Sequence, residues 1–177
     1  YLSPVSVVDA RKNSSVTING GEFFVDGSNN SDGDFGQKFT LNLRDKTGNY
    51  AGELSEIVVK GGKFYKYNPA ASESEPVVTN FVAPGYSAVA NGDYYEVKEG
   101  IYNETALNAA IVNGAEITLD DNMTIAKAIT IPTGITATIN LNGFDVTAPN
   151  TDAFEVQGTL TIIGTEESVV SAGTDYP

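Results

Sequence analysis

The chain has no cysteine, no histidine, no tryptophan and a single methionine. Without cysteine there is no disulfide framework and no thiolate metal site, and cysteine usage leaves the redox compartment open. Without histidine the commonest general base and metal ligand is missing. A Ser-His-Asp triad and an HExxH zinc site are therefore both excluded. Positive charge is scarce and lopsided. The net charge is −13, and residues 1–100 hold nine of the ten Lys and Arg, whereas residues 101–177 set only Lys127 against ten acids. So acidic a surface repels phosphate backbones and anionic lipid, which argues against nucleic acid as a partner. No apolar run approaches the roughly 20 residues of a membrane-spanning helix, so membrane insertion is not expected. No signal-peptide or lipidation pattern is visible. The first residue is Tyr1 rather than Met, as expected of a mature form or a piece of a longer chain.

What the chain does have is a recurring short word of alternating β-branched and polar residues. Val16-Thr17-Ile18, Phe39-Thr40-Leu41 and Ile57-Val58-Val59 start 23 and 18 residues apart. Ile117-Thr118-Leu119, Ile139-Asn140-Leu141 and Leu160-Thr161-Ile162 start 22 and 21 apart. Each is a strand word of period two, with Ile129-Thr130-Ile131 and Phe154-Glu155-Val156 between them and Gly, Asn and Asp at the turns. Short strands repeated at a period near 20 point to an all-β solenoid in which each coil gives one strand to each of two or three sheets. The competing reading is a β-sandwich, which also has closely spaced strands but gives no reason for the words to recur at coil spacing.

Longer words repeat too. Residues 16–24 read VTINGGEFF and residues 57–65 read IVVKGGKFY. The Gly pairs are expected at a sharp corner, where φ > 0 is needed. Phe23-Phe24 and Phe64-Tyr65 are expected to stack on their copies. One helix is legible near 104–113. Asn103 caps it, Leu107, Ala110 and Ile111 share a face, and Asn113-Gly114 stop it. Such a helix suits the end of a solenoid, where an open sheet edge needs covering.

The stretch ALNAAIVNGAEITLDDNMTIAKAITIPTGITATINLNGFDVT (106–147) resembles the opening of right-handed parallel β-helix proteins of the pectin-lyase-like type. The stretch IVVKGGKFYKYNPAASESEPVVTNFVAPGYSAVANGDYYEV (57–97) resembles their closing segment. Residues 1–100 would then be closing coils with a C-terminal-type cap, and 101–177 a capping helix with opening coils. Two arrangements give this order: the end of one module followed by the start of the next, or one continuous, circularly permuted solenoid. The resemblance implies a non-catalytic structural or display protein, as in phage virion fibres and decoration proteins or at the surface of gut bacteria. It also implies an extracellular, virion or cell-surface setting, and self-association, with a homotrimer as the model, alongside other virion or surface proteins.

Three places carry residues suited to other chemistry. In the loop DGSNNSDGD, Asp26, Asp32 and Asp34 put hard oxygens where calcium could use them. The EF-hand spacing fails, because Ser28 stands where a ligand is needed, and a solvated turn is the plain alternative. Asp120-Asp121-Asn122 reads the same way. Tyr65, Tyr67, Tyr86, Tyr94 and Tyr95 could form a platform for glycan rings, or could simply cover the end of the core. Finally, the resembled fold hosts polysaccharide lyases and hydrolases. A hydrolase needs two carboxylates about the scissile bond, for which Asp145/Asp152 or Asp152/Glu155 would have to serve. A lyase would have to draw on Arg11 or Arg44. The reading remains that of a chain that is not an enzyme.

Overall fold

The structure, a computed structural model, describes residues 5–25, 38–43, 52–74 and 78–173. These residues are mostly strand, with one α-helix among them. The chain divides into two compact units, Tyr1–Ala83 with Ala88–Lys98, and Pro84–Ser87 with Glu99–Pro177. Each is taken by itself.

Up to Glu99 the chain forms β1 (Val5–Ala10), β2 (Ser15–Phe23), β3 (Lys38–Leu43) and β4 (Glu56–Tyr65). It continues through β5 (Ser72–Glu73), β6 (Val78–Thr79), β7 (Tyr86–Asn91) and β8 (Tyr94–Glu99). The two long words lie side by side. β2 and β4 are parallel, with Val16 opposite Ile57 and Ile18 opposite Val59. Val59 bridges onward to Val82, again in parallel. The third word, 39–41, does not join them. It pairs in parallel with β1, Leu41 opposite Val8, in a separate sheet. Similar words do not choose their partners. Here the choice follows the Gly-Gly-aromatic extension, which β2 and β4 share and β3 lacks.

That extension is not a corner. Both Gly pairs sit inside continuous strands, at a point where the register slips. Gly21 and Gly62 adopt φ of 113° and 117°, a region open to glycine with little strain. A Cβ on Gly61 would stand 2.5 Å from the Asn19 carbonyl oxygen, so the two bulged backbones approach more closely than any side chain allows. The slip then sets Phe23 flat on Phe64, with ring centres 5.0 Å apart and planes at 11°. Phe24 is instead exposed, and Tyr65 meets Tyr94 edge-on. The ladders are not all parallel: β4 continues into β8 antiparallel, and β5 and β6 pair the same way.

The second unit opens with α1 (Glu104–Ala110). Its length is set by its ends. The Ala106 backbone N–H donates to Asn103 Oδ1 at 2.9 Å, and Ile111 already turns extended, so the helix stops short of Asn113-Gly114. Leu107 and Ala106 are buried. There follow β9 (Ala115–Thr118), β10 (Met123–Thr124), β11 (Ile129–Ile131), β12 (Thr136–Asn140), β13 (Val146–Ala148), β14 (Phe154–Val156), β15 (Thr159–Ile163) and β16 (Val170–Ala172). They make three parallel sheets, ordered β9-β12-β15, β10-β13-β16 and β11-β14. Successive strands of a sheet lie one full repeat apart in sequence. Ile117 pairs with Ile139 and Ile139 with Ile162, steps of 22 and 23 residues. By their starts, the words would match Ile139 with Leu160. The true register is two residues further on, which preserves the inward face because the side-chain period is two.

The side chains that point inward form columns. In the first two rows they are buried, and in the last row they are not. Ile139, Val146 and Ile131 are 0% exposed, whereas their partners Ile162, Val170 and Val156 are 42%, 40% and 49% exposed. Polar side chains at the turns tie one row to the next. Asn122 Oδ1 accepts the Asp145 N–H at 2.8 Å, and Asp145 Oδ1 accepts the Val169 N–H at 2.9 Å. Asn113 Oδ1 accepts the Thr136 N–H, and Glu104 carries the Ala126 and Lys127 N–H groups.

Candidate functional site

A cleft with a polar lining lies on the exposed face of β2, β4 and β8 in the first unit. It is open, about 310 Å³, and lined by Glu22, Lys63, Asn91, Tyr94 and Glu96. The strand register explains the lining. Glu22 stands opposite Lys63 and Lys63 opposite Glu96, so acid, base and acid form one row across three strands. The next row on the same face is Tyr65 opposite Tyr94. Their rings meet edge-to-face at 5.2 Å and 61°, a favoured aromatic geometry. Lys66 Nζ lies 5.2 Å from the Tyr65 ring centre, within reach of a cation–π attraction.

Tyr94 leans back across the row, and its hydroxyl donates to Glu22 Oε1 at 2.8 Å. That hydrogen bond holds the phenol proton and raises the Tyr94 pKa above 10.0, with desolvation and the Glu22 charge adding to it. The face thus offers two carboxylates, an ammonium, an amide and a phenol, with half of a tyrosine ring. It can hydrogen-bond a hydroxyl-rich or zwitterionic molecule. Its tyrosine is held protonated, the opposite of what a general base needs.

The five sequence-chosen tyrosines do not form one platform. Tyr94 lines the cleft and Tyr65 backs it. Tyr95 turns to the other side, opposite Phe64. Tyr67 is buried, its hydroxyl donating to the Leu41 carbonyl at 3.2 Å, and burial pushes its pKa well up. Tyr86 is half-buried at the start of β7. Sequence reasoning missed Glu22, Lys63, Asn91 and Glu96. The signal was there in principle: polar residues at alternate positions on β2, β4 and β8 share one face. The pairing that puts them in a row could not be read without the register.

Asp26, Asp32 and Asp34 lie outside the described residues, as does Arg44. Among the described residues no three acidic, histidine or cysteine side chains gather as a metal site would require. Asp120 and Asn122 serve the backbone instead: Asp120 Oδ2 accepts the Ile101 N–H at 2.8 Å, and Asn122 holds Asp145 as described. Asp145 is spent on Val169, Glu155 accepts from Gln157, and Arg11 pairs with Asp9. Neither carboxylate pair proposed for hydrolysis lines the cleft. No helix among the described residues is long and apolar enough to cross a membrane. No protein-family model, no curated protein and no solved structure matches this chain.

Proposed function

We propose that this chain is a non-catalytic structural protein, a right-handed parallel β-helix whose coils act as a stiff spacer or display element. The observation that carries the reading is the pair of successive steps in one sheet, Ile117 to Ile139 to Ile162, at 22 and 23 residues in parallel register. The neighbouring strands Met123, Val146 and Val170 repeat it. In such a stack backbone ladders run along the axis, so length and stiffness grow with coil number. The polar turn residues support the same role, because they are used to fasten one row to the next. A virion fibre or decoration protein, or a protein of a bacterial surface, is the setting this role fits, with self-association expected. Incubation with a panel of polysaccharides tests the reading. It expects no new reducing ends, no unsaturated-uronate absorbance and no retention on a glycan array; product in either chemical assay overturns it.

A second reading is favoured by the Tyr65–Tyr94 pair with its Glu22–Lys63–Glu96 row: a glycan-binding face on the first unit. Retention on a glycan array that Tyr94→Ala abolishes would establish it.

A further inference from the structure

Among the described residues the last row of the second unit has a free edge, and the sequence contains a strand whose pattern matches it. We propose that the free edge of β15 receives the free edge of β2 from a second copy of this chain, in parallel, so that copies join head to tail. The proposal rests on the stacked-coil reading above and names a partner for its open end.

Three observations carry it. The first is the direction of the backbone. The Thr159 N–H donates to the Ile135 carbonyl and the Ile163 carbonyl accepts from the Leu141 N–H, so Thr159, Thr161 and Ile163 bond back to β12. In a parallel strand the alternate residues point the other way, which leaves the N–H and C=O groups of Leu160 and Ile162 facing forward. β2 is the reverse. The Ser14 carbonyl accepts the Glu56 N–H, so Ser14, Val16 and Ile18 face forward to β4, and Ser15 and Thr17 face back. Among the described residues β15 and β2 are each bonded on one edge only, and the two free edges are of opposite sense. In parallel register they fit each other, and neither fits its own copy.

The second observation is the residue pattern. β12 reads Thr136-Ala-Thr-Ile139, β15 reads Thr159-Leu-Thr-Ile162, and β2 reads Ser15-Val-Thr-Ile18. β12 and β15 are already paired with these residues in register. Adding β2 in the same register extends the column Ile117–Ile139–Ile162 to Ile18 and the outward row Thr138–Thr161 to Thr17. It places an apolar strand over Ile162, one of the side chains left exposed in the last row. The third is charge. Just before this register Lys12 stands exposed ahead of β2 and Glu155 stands exposed ahead of β15, in a unit whose terminal row carries Glu155, Glu166 and Glu167 and no base. A contact of this kind is heterologous, so each copy keeps one end of each type free for the next copy and assembly can continue past a dimer.

The experiment is sedimentation of the full chain over a range of concentrations, with two edge variants. Proline removes one forward N–H in Ile162→Pro and one backward N–H in Thr17→Pro, and neither N–H is used within its own unit. The wild type is expected to form species larger than a dimer that grow with concentration. Each variant alone should form only monomer, with an unchanged circular-dichroism spectrum. Mixed one to one, they should form a heterodimer and nothing larger, because each keeps the end that the other lacks. Ile162→Lys, a third variant that keeps the backbone N–H, should also stay monomeric. A wild type that is monomeric throughout, or a trimer that survives both proline variants, overturns the proposal while leaving the coil stack itself intact.

Discussion

Tyr94 shows how much a single residue can depend on its row. From the sequence it is one aromatic among 17 Tyr and Phe, and nothing marks it off from Tyr95 beside it. The antiparallel register of β4 and β8 sends Tyr94 to the polar face and Tyr95 to the side of Phe64. Glu22 then holds the Tyr94 proton, and the consequence is testable. A phenol whose pKa is raised in the folded state, above its ordinary 10.0, contributes stability that is fully present below that ordinary value. The contribution is lost as pH rises through the folded value. Stability should therefore decline on the alkaline side, and Tyr94 should ionise later than a free tyrosine in a tyrosinate-absorbance titration. In Glu22→Ala its titration should move back down toward the ordinary value; an unchanged titration would mean that the hydrogen bond does not set it. Tyr67 should ionise later still in both proteins, because its shift comes from burial.

At the scale of the element, the same chemistry has a different worth in different rows. Ile139 and Ile162 belong to one column and to strands of like sequence, but one is fully buried and the other is not. Ile139→Ala should cost about 3 kcal/mol, the usual range for emptying a packed apolar site. Ile162→Ala, measured in dilute solution, should cost less than about 1 kcal/mol. Equal costs in chemical denaturation would contradict the row order. Much at this scale was legible beforehand. The strand words, the Asn103 cap and the repeat spacing of the second unit all rest on local chemistry, which a sequence displays directly. The shared long word also foreshadowed the stack of Phe23 on Phe64; what was not legible was which of the shorter words would pair, and the exact register. The 39–41 word looks like its neighbours yet pairs with β1, and the Gly pairs prove to be bulges within strands rather than corners. In both cases the deciding contact lies far along the chain: Leu41 against Val8, and Gly61 against the Asn19 carbonyl. The cleft was missed for the same reason, since Glu22, Lys63 and Glu96 become a row only through two strand pairings of opposite sense.

At the scale of the whole molecule, each unit is β-rich with its own ladders, and the second unit carries the regular repeat that the proposed function needs. If successive rows contact only their neighbours, a row can be added without disturbing the others. Closed or sandwiched sheets have no such freedom, because an extra strand displaces the facing layer. The most direct measurement is thermal unfolding, followed by circular dichroism, of a full chain in which residues 136–158 are duplicated in tandem. One copy of that segment spans one whole repeat, from Thr136 to the residue before its partner Thr159. The stacked account predicts a cooperative transition at no lower temperature than the original, with more strand signal, and a clear loss of stability when only half of the segment is inserted. Collapse of the strand signal on inserting the whole repeat, or equal tolerance of whole and half, would contradict it.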